Sequence, residues 1–191
     1  MANERLETSY QSPYFKTLDV TGKMVDMHAY KGKRVVLSFY RFVTCPLCNF
    51  RIAQFMKLYP RIARDDVVVI AVFESSKEYI TEYIGPKGLP FPIIADPTGV
   101  LYRHFGVELS WKKSLLAMLR PVSMMKAMWS NKFRMGPLTG KANRVPADFL
   151  IDSDGTLNTC YYGTDINDHL ELKKIEAFCK PKVHMLNRKA A

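Results

Sequence analysis

Two short runs that are apolar at nearly every position, Arg34-Val-Val-Leu-Ser-Phe-Tyr40 and Val67–Phe73, enclose a stretch of helical periodicity. Each run is too short for a helix and too continuously apolar for a half-exposed strand, so each reads as a buried strand. Between them Phe50, Ala53, Phe55, Met56 and Tyr59 recur at helical spacing from Pro46 onward, and Pro60 is expected to limit the regular stretch. Further along, Ser75 or Ser76 can cap a helix carrying Tyr79, Ile80 and Tyr83, ended by Gly85-Pro86. Residues 91–95 form a third short run, and residues 100–105 a short helix stopped at Gly106. Residues 148–152, the turn Ser153-Asp154-Gly155 and residues 156–162 read as a hairpin, with Asp165 or Asn167 capping a last helix to about Phe178. Two β runs flank Thr21-Gly22-Lys23 near the start, giving an N-terminal hairpin. The order predicts an α/β sandwich of three layers around a mixed sheet of about five strands. A 191-residue chain that is 48% hydrophobic can bury such a core as one domain, expected over 13–180 with flexible ends at 1–12 and 181–191.

Cys45-Pro46-Leu47-Cys48 follows the first predicted strand and opens the first predicted helix. A cysteine there faces free backbone N–H groups and the positive end of the helix dipole, which favour the thiolate. A second cysteine one turn on is placed to attack a mixed disulfide and release the product. Strand, Cys-x-x-Cys, helix is therefore a redox pattern. A zinc site would need four ligands, usually two such pairs or a matching His pair. Cys160 and Cys179 lie 19 residues apart and His28, His104, His169 and His184 are scattered, so no metal and no cofactor is expected.

The pattern around the cysteines is also recognisable. Tyr14-Phe-Lys-Thr-Leu-Asp19, Tyr30-Lys-Gly-Lys33, Val35-Val-Leu-Ser-Phe-Tyr40, Phe91-Pro-Ile-Ile-Ala-Asp96, Tyr102-Arg-His-Phe-Gly-Val107 and Ala147-Asp-Phe-Leu-Ile-Asp-Ser-Asp-Gly155 resemble the alkyl hydroperoxide reductase/thiol-specific antioxidant (peroxiredoxin) family. The resemblance implies a thioredoxin-like fold and reduction of peroxides or disulfides, with a thioredoxin- or glutathione-type reductant and a homodimer as candidate partners. Aligned on Phe39-Tyr40, the family's peroxidatic cysteine falls on Cys48, its Thr on Cys45 and its Pro on Arg41. Thioredoxins and glutaredoxins instead attack with the first cysteine, here Cys45, so the nucleophile is open at this point. Pro146 sits where thioredoxin-fold proteins keep a cis-proline facing the dithiol, and the resemblance favours cis for Val145-Pro146. Arg41 or Arg144 could hold the thiolate by charge, and Thr44 could cap the helix and bond a cysteine sulfur. Cys160 reads as a buried inert thiol, Cys179 could be a resolving cysteine although the Cys-x-x-Cys already supplies that partner, and His169 reads as a structural histidine.

Residues 109–147 break the alternation. They carry Lys112, Lys113, Arg120, Lys126, Lys132, Arg134, Lys141 and Arg144 without one Asp or Glu, eight of the chain's net ten positive charges. Both tryptophans lie here, and Trp111, Leu115, Met118, Val122, Met125, Trp129 and Phe133 form an apolar stripe that Pro121 would kink. The segment, taken as 109–145, reads as a basic helical insertion suited to an anionic membrane surface or an acidic protein, or simply packed on the domain. Nucleic acid is disfavoured, since no recognised motif accompanies the charge. The longest strongly apolar run, Val67–Phe73, is far short of the ~20 residues a spanning helix needs. With no apolar leader at the start, the expected location is the cytoplasm, with peripheral membrane association through the insertion the variant of it.

Overall fold

The structure is a computed structural model that describes residues 4–84, 89–118 and 136–181. Its elements run β1 (Lys16–Leu18), β2 (Met24–Asp26), β3 (Arg34–Phe39), α1 (Pro46–Ile62), β4 (Val67–Phe73), α2 (Lys77–Tyr83), β5 (Ile93–Ala95), α3 (Val100–His104), α4 (Trp111–Met118), β6 (Ala147–Ile151), β7 (Leu157–Tyr162) and α5 (Leu172–Cys179). β1 and β2 pair as a separate hairpin. The other strands make one mixed sheet in the order β5-β4-β3-β6-β7, parallel across β3, β4 and β5 and antiparallel across β3, β6 and β7.

β3 is central and buried on both faces, which is why its sequence shows no polar alternation. Val36 faces a cluster with Phe55, Leu58, Ile62, Ile80 and Ile175, contributed by α1, α2 and α5. Val35, Leu37 and Phe39 face the opposite cluster with Tyr102, Phe105 and Phe149. The first residue of β3, Arg34, is only 4% exposed and binds Asp66 at 2.7 Å. It also donates to the carbonyls of Cys179 and Lys180, so a cation closes the C-terminal end of α5.

Several boundaries differ from the sequence reading. α1 runs through Pro60 to Ile62, because a proline in the last turn forfeits only one helical hydrogen bond. Ser76 is the N-cap of α2 without a side-chain capping bond, while Ser75 Oγ accepts from the Val43 N–H at 3.0 Å. The last helix starts at Leu172, since Asp165 accepts the Asn167 N–H and Asp168 accepts from Thr164, closing turns where a helix was expected. Residues 9–12, expected to be loose, are tied along β7: Ser9 N–H donates to Leu157 O and Leu157 N–H to Tyr10 O, each at 2.8 Å.

The basic segment leaves and rejoins the domain at one place. Leu109 bridges Arg144, Ser110 N–H donates to Asn143 O at 2.8 Å and Val145 N–H to Glu108 O at 3.2 Å. On α4, Trp111 is 70% and Leu115 62% exposed. The expected continuation of the stripe through Val122, Met125, Trp129 and Phe133, like Gly85-Pro86 and the tail after Pro181, lies outside the described residues.

Candidate functional site

β3 ends at Phe39, and residues 40–45 carry the chain from the middle of the sheet to the start of α1. The sequence folds so because Pro46 has no N–H to lose and a fixed φ, which suits the first helical position. Cys45 is thereby the N-cap and Cys48 lies in the first turn. Asn49 holds the approach loop, its Nδ2 donating to Val43 O at 2.9 Å. Both cysteines are free thiols and each is 3% exposed.

The two sulfurs are unlike. Cys45 is pulled from 9.0 down to about 6, chiefly by a hydrogen bond from the Cys48 thiol. Burial opposes this, while the Arg41 charge and the backbone N–H groups of Cys48 and Leu47 add to it. Arg41 is itself buried and places Nη1 3.4 Å from Cys45 Sγ. Cys48 moves the other way, raised by burial and then by its donation to Cys45. One thiolate at a helix N-terminus, one neutral thiol a turn along and one guanidinium between sulfur and protein can support nucleophilic attack followed by internal disulfide closure.

The remaining sequence candidates separate from the sulfurs. Thr44, fully buried, neither caps α1 nor meets a cysteine: its Oγ1 donates to Pro137 O at 2.5 Å. Arg144 is neither solvated nor held at a thiol. Glu74 takes its Nη2 at 2.6 Å and its Nε at 3.1 Å, Val107 O takes Nη1, and the guanidinium lies 4.5 Å from the Tyr102 ring centre. The Val145-Pro146 bond is trans, so the cis-proline geometry expected from the resemblance is absent. Cys160 and Cys179 lie apart from the pair, and burial pushes each up to about 11.

Two features went unread in the sequence. Glu74, 1% exposed at the end of β4, was legible only as an acid closing an apolar run. Asp148 pairs across the sheet with Ser38 and binds His169 Nδ1 at 3.0 Å and the Leu170 N–H at 2.8 Å. Burial would raise Asp148, but His169, through charge and hydrogen bond, holds it down at about 2. The His169 ring lies 5.0 Å from that of Tyr40. No cluster of three metal-ligating side chains occurs among the described residues.

Comparison with known proteins decides the family, since the AhpC/TSA family model matches residues 9–159. The chain belongs to the AhpC/TSA family. This AhpC/TSA protein is 25% identical over 175 residues to the thiol-disulfide oxidoreductase ResA of Bacillus thuringiensis (strain Al Hakam), covering 90% of this chain and 80% of ResA. It is 23% identical over 167 residues to the Haemophilus influenzae protein named as a peroxiredoxin, bcp, covering 87% and 93%. The crystal structure of peroxidoxin BcpB from Mycobacterium tuberculosis superposes with a TM-score of 0.64 at 17% identity, over 92% of this chain and 97% of that one. The AhpC/TSA chain thus has the α/β thioredoxin-like fold expected from its sequence.

Proposed function

We propose that the chain is a thiol-dependent oxidoreductase in which Cys45 attacks and Cys48 resolves. The observation that carries this is the asymmetry of the pair: the sulfur at the helix N-terminus is the one held as thiolate, 3.4 Å from Arg41. With a hydroperoxide, the Cys45 thiolate attacks the distal oxygen, the O–O bond breaks, and the departing alkoxide takes a proton from solvent to leave as alcohol. Cys45 becomes a sulfenic acid. Cys48 then attacks that sulfur, forming the Cys45–Cys48 bond, and its proton leaves with the hydroxyl as water. Two electrons and two protons from two small thiols of the glutathione type return both cysteines to thiols. With a disulfide substrate, the same attack forms a mixed disulfide, and Cys48 expels the reduced substrate thiol. The names of the relatives support both substrate classes. The trans Pro146 removes one support for aligning an extended substrate chain as thioredoxins do.

The test is thiol mapping by mass spectrometry after hydrogen peroxide is mixed with the fully reduced protein. Wild type should close Cys45–Cys48, Cys48→Ser should stop at a Cys45 sulfenic acid, and Cys45→Ser should react no faster than a free thiol. A Cys45→Ser variant that keeps the wild-type rate sinks the assignment.

A second reading is favoured by one observation, the exposure of Trp111 and Leu115 a single turn apart on α4 with exposed Lys112 beside them. Apolar side chains left in water within a stretch of eight cations and no acids suit the interface of an anionic bilayer better than the core of this domain. The two readings are compatible, a dithiol enzyme held at an anionic surface.

A further inference from the structure

The returning limb of the basic segment packs on the loop that leads into the dithiol. Residues 136–144 run across the approach loop 41–44 and the end of β4 with a contact at almost every step. Thr44 Oγ1 donates to Pro137 O, and Thr139 Oγ1 lies 2.8 Å from Ser75 Oγ, which also accepts the Val43 N–H. Lys141 N–H donates to Glu74 Oε2 at 3.3 Å, and Arg144 closes the limb on the same carboxylate. Arg41, the residue whose Nη1 faces Cys45 Sγ, donates its Nη2 to Ala142 O, so one guanidinium holds both the sulfur and the strap. Two glycines make this approach feasible. A Cβ at Gly140 would lie 2.6 Å from Glu74 O and 3.0 Å from Phe42 Cβ. One at Gly136 would lie 2.5 Å from the Tyr83 hydroxyl and 2.9 Å from Thr44 Cβ.

We propose that the 136–144 strap is a steric filter over Cys45 that admits a small hydroperoxide and excludes the disulfide of a folded protein, with Gly136 and Gly140 as its specificity-determining residues. Disulfide exchange needs the attacking sulfur in line with an S–S bond carried on a bulky chain, and a cysteine 3% exposed, its approach loop held by a strap bonded at both ends, offers no room for it. A hydroperoxide needs only its terminal oxygen to reach the sulfur. In the fold shared with proteins named for either chemistry, the strap selects between them. The inference rests on Cys45 being the attacking sulfur.

The experiment has two arms, so that the filter and the dithiol reading fail separately. In the first, the reduced protein is labelled with N-ethylmaleimide and with a polymer-conjugated maleimide, and modification at Cys45 is followed by mass spectrometry. Chemistry at the sulfur is then constant and only size changes. The small reagent should win by more than about tenfold in wild type, and Gly140→Ala, whose added carbon meets an immovable carbonyl, should narrow that ratio about tenfold. Thr139→Val removes the Ser75 contact at constant shape and should narrow it in the same direction, which keeps the test open if Gly140→Ala does not fold. In the second, oxidation by hydrogen peroxide is compared with reduction of insulin disulfides. Wild type should favour the peroxide and both variants should gain on insulin. Labelling that ignores reagent size overturns the filter whatever the enzymology. Size-selective labelling in a protein inert to both oxidants overturns the dithiol reading and the substrate choice that rests on it, leaving only a shielded thiol.

Discussion

Cys45 combines two properties that usually exclude each other, burial and a low pKa. Burial alone raises a thiol, as it does at Cys160 and Cys179. At Cys45 it is outweighed by a donated thiol proton, two backbone N–H groups and a guanidinium. Because the pKa is depressed, the Cys45 thiolate is present above about pH 6 and lost as pH falls through that value. Arg41→Gln should therefore move the midpoint of the pH–rate profile upward. It should slow peroxide oxidation several-fold near pH 6 and change little at about pH 9, where an ordinary thiol also ionises. A uniform loss at all pH values would mean that Arg41 acts on the fold and not on the sulfur. These residues were legible in sequence because they lie within one short stretch, where strand end, Pro46 and two cysteines fix the geometry locally. Thr44 was misread for the opposite reason: its partner, Pro137 O, lies 93 residues away.

At the scale of elements, the end of β4 and the limb leading into β6 are joined by one ion pair, Glu74 with Arg144, their side chains 1% and 4% exposed. Breaking such a pair on one side leaves a charge buried without its counter-ion. Arg144→Met should destabilise the protein by about 3–5 kcal/mol, read as a lower urea midpoint at similar slope, and the Glu74→Met/Arg144→Met double variant should cost less than the sum of the two singles. Additivity of the two single variants would count against direct coupling. Strands β3, β4 and β6 were legible because apolar runs report burial on two faces. The start of α5 was not, because Asp165 and Asn167 serve turns as readily as caps. The peptide isomer before Pro146 is likewise not written in residue identity, and the structure has it trans.

For the whole molecule, charge is distributed unevenly: residues 109–147 carry eight positive charges and no negative ones, against a net ten for the chain. No helix among the described residues is long and apolar enough to cross a membrane. The intact protein should co-sediment with phosphatidylserine-containing vesicles, release as salt rises and ignore neutral vesicles. The double variant Trp111→Ser/Leu115→Ser should bind about tenfold more weakly. No binding at physiological salt would end the lipid reading, and displacement of the charge onto an acidic protein would replace it. Fold class was readable at this scale because strand order follows from which segments are doubly buried. The path of the basic limb across the approach loop was not, since polar contacts such as Thr139 with Ser75 leave no periodicity.

The bridge of Leu109 to Arg144, with the bonds of Ser110 to Asn143 and Val145 to Glu108, shuts the basic segment at its root like a drawstring. A length of chain tied off this way barely enters the energetics of the sheet, since each doubling of such a loop costs only about 0.6 kcal/mol. Residues added or removed between the two ends of that root should therefore leave the stability of the sheet nearly unchanged.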